Sequence, residues 1–155
     1  YLLFQLWHGP CKNIIFTRFD DILPGISSGK YDAGIIIHEG RFVYPSYGCV
    51  EIRDLGKWWE SETGLPIPLG CIAIRRDMSP HKNAIETLIR KSIGYAMENP
   101  KDAENFIGEH AQEMDKEVVS SHIALYVNNF SLSLGTTGME AVNTLSERAQ
   151  NMGLL

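Results

Sequence analysis

Basic charge is in short supply in this 155-residue chain: 14 Lys and Arg stand against 19 Asp and Glu, a formal net charge of −5. A phosphate backbone needs a clustered basic face, so nucleic acid is excluded as a partner. Long apolar runs are missing too. Nothing approaches the roughly 18–20 residues of a membrane span, so no membrane partner is expected. Cysteine is sparse and odd in number: Cys11, Cys49 and Cys71 lie far apart without a C-x-x-C pair. That pattern points to reduced thiols in a cytoplasmic protein and away from a disulfide frame or zinc site. No signal peptide is recognisable, because the apolar residues 1–7 are too few and lack a basic leader. There is no initiating Met either, and the apolar pattern is already under way at Tyr1. We therefore expect a piece of a longer protein, cut inside a helix. What is present is globular in character, 44% hydrophobic and 21% charged, with no disordered tract. A chain of this size forms one domain or part of a larger one.

Two compositional halves follow one another. As far as Asp77, short β-branched runs alternate with turn signals, which predicts an α/β segment. Residues 13–17 read as a strand, and a short helix follows through Ile22, Leu23 and Ile26, stopped by Gly29. Residues 33–37 are apolar on both faces, as in a strand buried within a sheet. Residues 50–53 alternate and fit a more exposed strand. Asp54 caps a helix through Trp58, Trp59 and Glu60 that ends at Gly64. Residues 65–74 are extended, with Pro66 and Pro68 confining their start to an edge or crossover. Beyond Asp77 the chain turns helical. Ser79-Pro80 reads as an N-cap with Pro at the first helical position, ahead of the stripe Ile85, Leu88, Ile89, Ile93 and Ala96. Asn99-Pro100 repeats that signal before Ala103, Phe106, Ile107 and Met114. A third helix carries Val118, Val119, His122, Ile123 and Tyr126 on one face. The last starts at a capping box, Thr137-Gly138-Met139-Glu140, and runs through Ala141, Leu145 and Ala149. Four serial helices after a βα segment cannot complete a doubly wound sheet, so they must pack on something else.

Several apparent motifs fail on chemistry. Gly25-Ile26-Ser27-Ser28-Gly29-Lys30 has three residues between its glycines, where a phosphate loop needs four, and Tyr31 stands where Ser or Thr should reach magnesium. A helix C-cap explains it better. His38-Glu39 opens like a zinc motif, but Phe42 replaces the second imidazole, so no metal is expected. No nucleophile elbow is present, and the cysteines do not read as activated nucleophiles. His122 reads as a core histidine, while His8, His81 and His110 read as surface. Trp58 and Trp59 cannot share a helix face, so one packs inward and the other faces an interface or water. His38 is different: it ends an apolar run and opens the polar turn Glu39-Gly40-Arg41. Ligands of open α/β sheets gather at such strand ends, and an imidazole there can act as a general base near neutrality. A His that simply bonds a backbone carbonyl would fit the position as well.

The stretch Tyr31-Asp32-Ala33-Gly34-Ile35-Ile36-Ile37-His38-Glu39-Gly40-Arg41-Phe42 resembles a signature of the 1,4-dihydroxy-6-naphthoate synthase family, of the futalosine route to menaquinone. Asp54-Leu55-Gly56, Trp58-Trp59-Glu60, Glu62-Thr63-Gly64-Leu65-Pro66-Ile67-Pro68-Leu69-Gly70 and His122-Ile123-Ala124-Leu125-Tyr126-Val127-Asn128 extend the likeness over nearly the whole chain. The resemblance implies an α/β fold like that of type II periplasmic binding proteins. This chain would be the carboxyl-terminal part: a partial second lobe over 1–64, a crossover strand over 65–77, and helices over 78–155 that pack on a first lobe lying outside it. It also implies a carbon–carbon lyase that converts cyclic dehypoxanthine futalosine, a small molecule, to 1,4-dihydroxy-6-naphthoate without metal or organic cofactor. The family's proton acceptor falls on His38. Glu39 and Arg41 are the candidates to orient that base or to meet a substrate carboxylate, which suits the guanidinium fork.

Alone, the piece is expected to be inactive, because family contacts also come from the first lobe and from a Thr-rich segment ahead of Tyr1. Its exposed helix faces should drive self-association into a homo-oligomer or aggregate. Chorismate dehydratase, a sister enzyme with the same fold and a Thr-Gly-Leu-Pro element, lacks the His-Glu-Gly-Arg turn. A solute-binding module without chemistry is the rival from another class, since fold does not decide function.

Overall fold

The computed structural model describes residues 1–38, 40–110 and 115–155. Nine α-helices are found among them: α1 (Leu2–His8), α2 (Ile22–Ser27), α3 (Gly40–Val43), α4 (Leu55–Thr63), α5 (Lys82–Glu98), α6 (Pro100–His110), α7 (Lys116–Tyr126), α8 (Asn129–Leu132) and α9 (Gly135–Asn151). Short 3₁₀ turns at Phe19–Asp21, Tyr44–Tyr47 and Arg76–His81 lead into or out of these helices. The chain divides into two units, one of residues 1–67 with 140–155 and the other of residues 68–139. No helix among the described residues is long and apolar enough to cross a membrane.

Helices begin where a side chain can satisfy the orphaned amides of the first turn. Asp54 does this for α4, its Oδ1 accepting from the N–H groups of Gly56 and Lys57 at 2.9 and 3.0 Å. Asp115 does it for α7, accepting from Glu117 and Val118. Gly64 ends α4 at φ 69°, and its N–H reaches the Glu60 carbonyl at 2.8 Å. That left-handed backbone is open to glycine without steric penalty.

The core of the first unit is small. Leu23, Trp59, Ala141 and Ala149 are its buried apolar residues, and the Trp59 side chain is 0% exposed. The indole is also satisfied as a polar group. Its Nε1–H donates to the Pro66 carbonyl at 3.1 Å, as a buried indole N–H requires. The Arg148 guanidinium lies 5.6 Å from the ring centroid, within cation–π range. Thr63 closes the same corner, donating to the Trp59 carbonyl at 2.8 Å and accepting from the Leu65 N–H at 3.1 Å. The Gly-Leu-Pro-Ile-Pro run is thereby fastened to α4. In the second unit, Tyr95 on α5 donates its hydroxyl to Asp102 of α6 at 2.6 Å. The Asn99-Pro100 junction sits between them, with the Asn99 side chain donating to the Tyr95 carbonyl.

The expected α/β architecture is not found. No strand is present among the described residues, and residues 13–17, 33–37, 50–53 and 65–74 form neither helix nor ladder. Alternation and β-branching report which faces are apolar, but a strand exists only when another backbone completes its ladder. Here the runs do not pair with one another, and Phe16 (79%), Val50 (83%) and Ile52 (75%) face solvent. The periplasmic-binding-protein-like lobe expected over 1–64 is accordingly replaced by short helices and irregular connections. Two helix starts also move. Ser79-Pro80 falls inside the 3₁₀ turn, with α5 starting at Lys82, and α9 starts at Gly135, ahead of the supposed box at Thr137. The capping box forms instead at Asn128 and Ser131, opening α8. Met114 lies outside the described residues.

Replacing Trp59 by Ala should lower unfolding stability by about 3–5 kcal/mol, as for other buried aromatic truncations, read as a fall in the urea midpoint. Trp59→Phe keeps most of the volume and should cost less, chiefly through the abandoned Pro66 carbonyl. The Asp102 carboxylate holds the Tyr95 hydroxyl above the ordinary phenol range by accepting a hydrogen bond from its protonated form. A tyrosinate titration should therefore show Tyr95 ionising late, and Asp102→Asn should return it to the range of an exposed tyrosine.

Candidate functional site

The apolar run 33–37 delivers His38. Its approach depends on Gly34, which lies so close to α2 that an added Cβ would collide with the Ile22 side chain and meet Ile26 Cδ1 at 3.0 Å. Gly25 in α2 is equally tight, against the Tyr31 ring. These two glycines let residues 31–37 lie across α2, with Ile35 and Ile36 half-buried and Leu23 buried. The Gly25–Lys30 stretch itself turns back as a helix end. Gly29 takes φ 75° and donates to the Ile26 carbonyl at 2.9 Å, and Lys30 donates to Gly25 at 2.8 Å.

At His38 the backbone changes hand, with φ 54°. Residues other than glycine adopt this conformation at a cost of roughly 1–2 kcal/mol, and such departures cluster at functional sites. The turn is closed by the Gly40 N–H donating to Ile37 at 3.2 Å and the Arg41 N–H donating to His38 at 3.4 Å. The reversal sets the imidazole at an exposed corner, beside Phe19, with ring centroids 5.0 Å apart and planes inclined by 56°. Phe19 follows Arg18, whose guanidinium grips Asp20 through two hydrogen bonds of 3.0 and 2.7 Å. That pair raises the Arg18 pKa and lowers that of Asp20.

Arg41, the second residue of α3, lies beside the His38 turn and reaches the start of α4. Its Nη2 donates to Asp54 Oδ2 at 3.0 Å, while Asp54 Oδ1 caps α4. One carboxylate thus serves two elements. The Arg41 side chain remains 36% exposed, so part of its donor fork faces water. Its guanidinium also lies 5.6 Å from the Phe42 ring centroid. Glu39 lies outside the described residues. The structure therefore brings His38 and Arg41 to one turn and adds Phe19 and Asp54, which the sequence did not mark as site residues. Asp54 carried a cap signal and a place in the family likeness but no site role, and Phe19 carried none.

The other histidines lie elsewhere. His122 is half-buried, with its ring 4.5 Å from that of Tyr126. His110 stacks on Phe106 at 4.2 Å on the exposed face of α6. A concavity of about 510 Å³ in the second unit is lined by Glu104, Asn105, Gly108, Glu109 and Lys116 and includes none of the site residues. Among the described residues, no three His, Cys, Asp or Glu side chains gather as a metal site.

Comparison with known proteins agrees with the resemblance. Residues 1–151 match the sequence profile of a family described as menaquinone biosynthesis. The chain is 46% identical over 139 residues to a 1,4-dihydroxy-6-naphthoate synthase of Thermus thermophilus, covering 89% of this chain and 51% of that protein. It is 42% identical to the enzyme of the same name from Streptomyces coelicolor, covering 100% of this chain and 57% of that one. The chain thus spans about half the length of the curated relatives it matches. A crystal structure of an Archaeoglobus fulgidus protein superposes with a TM-score of 0.91 at 32% identity, over 99% of this chain and 58% of that chain.

Gly34→Ala should destabilise the chain by about 1–3 kcal/mol, the usual cost of overpacking. The obstructing Ile22 is β-branched and cannot swing away freely. A fall in the thermal midpoint, without loss of helical circular dichroism below the transition, checks this.

Proposed function

Since the chain belongs to the menaquinone-biosynthesis family, we propose that it supplies the proton-accepting part of a carbon–carbon lyase that converts cyclic dehypoxanthine futalosine to 1,4-dihydroxy-6-naphthoate in the cytoplasm. The observation that carries this reading is His38: a left-handed, exposed histidine at the end of the 33–37 run, inside the His-Glu-Gly-Arg turn. An imidazole titrates near neutral pH, so it can take a proton without large tuning of its environment. In this scheme the neutral His38 removes the proton whose loss starts ring opening. Arg41 gives one N–H to Asp54 and keeps the rest of its fork for a substrate carboxylate. Glu39, next to His38 in the sequence, is assigned as the group that orients the base or the substrate.

The relatives are nearly twice as long as this chain, so the test belongs on the full-length protein. Wild type and His38→Ala are compared for naphthoate release from cyclic dehypoxanthine futalosine. General-base removal should lower turnover by roughly 10²–10⁴-fold, with the thermal midpoint unchanged. Equal release by both proteins would remove His38 from the chemistry. No release from folded wild type would favour a solute-binding module instead.

A further inference from the structure

An exposed imidazole on a reversed backbone works as a base only if its turn is held still. Three sides of that turn are accounted for. On the incoming side, Gly34 locks the 33–37 run against Ile22 and Ile26 of α2. Alongside, the Phe19 ring stands 5.0 Å from the imidazole. On the outgoing side the anchor is a long-range one: Arg41 reaches 13 residues along the chain to Asp54. Asp54 is itself immobilised, because its second oxygen accepts two backbone N–H groups of α4, and its side chain is only 14% exposed. Charge-assisted pairs of this kind fix geometry as well as contributing energy.

We propose that Asp54 is a positioning residue for His38: by holding Arg41 while it caps α4, it fixes the turn that presents the imidazole. The proposal rests on the reading of His38 as the base, and it assigns Asp54 a role beyond helix capping. The two roles can be separated chemically. Asparagine and serine cap helices about as well as aspartate, but neither offers Arg41 a charged oxygen. Asp54→Asn and Asp54→Ser should therefore fold normally and lose only the clasp.

Both variants and His38→Gln are made in the full-length protein, and turnover of cyclic dehypoxanthine futalosine is followed. The His38 ring Cε1–H resonance is recorded in the wild type and in both Asp54 variants. Release of the turn should lower kcat on the order of tenfold, a typical consequence of a displaced catalytic group. A rise in KM from the freed Arg41 accompanies the fall in kcat without replacing it, and the His38 resonance should shift or broaden. An unchanged kcat, or a rise in KM alone, overturns the proposal, as does an unchanged His38 resonance. If His38→Gln keeps full turnover, the base assignment falls. The resonance in the Asp54 variants then still reports whether the clasp holds the turn.

Discussion

The first unit depends on one sealed indole. Trp59 is the largest fully buried side chain, and the elements around it are tied to it by more than apolar contact. Its N–H holds the carbonyl of Pro66, its own carbonyl takes the Thr63 hydroxyl, and Arg148 of α9 covers its face. Because Trp59 lies in the middle of α4, whatever fixes the indole also fixes Asp54 at the start of that helix. Asp54 in turn receives Arg41, and Arg41 adjoins the turn of His38. A packing decision in the core is thus transmitted through about one turn of helix to an exposed corner, through one carboxylate with both oxygens engaged.

How much of this could be read from the sequence follows from the range of the forces involved. Asp54, Gly64, Gly29 and Asn99-Pro100 were legible because caps and stops are local chemistry, decided within four or five residues. The strands over 13–17, 33–37 and 50–53 were misread for the opposite reason. Period and β-branching describe a surface ready to pair, whereas the ladder depends on a second backbone at long range. Ser79-Pro80 and Thr137 show a subtler failure. Each has the right residue types for a start, but the chain had already entered a helical turn upstream.

The site divides along the same line. His38 drew attention as a lone imidazole that ends an apolar run and opens a charged turn, but a His bonded to a backbone carbonyl fits that position as well, and it was the family likeness that pointed to a base. Its left-handed backbone could not be foreseen, since histidine does not demand it. The Arg41–Asp54 contact spans 13 residues, and neither residue type at that spacing implies the other. Phe19 illustrates the limit: its ring meets His38 only because the tight glycines bring run 33–37 back across α2.

The open apolar stretches have a practical consequence for anyone handling the chain. With Ile15, Phe16, Val50, Ile52 and Ile72 turned outward in the folded state, environment-sensitive dyes will already fluoresce before any heating. A dye-based melt would then start bright and could even dim as aggregates form. With the half-buried Trp7 and Trp58 replaced by Phe, the emission of the enclosed Trp59 changes only when the indole meets water, and so gives the cleaner record of unfolding.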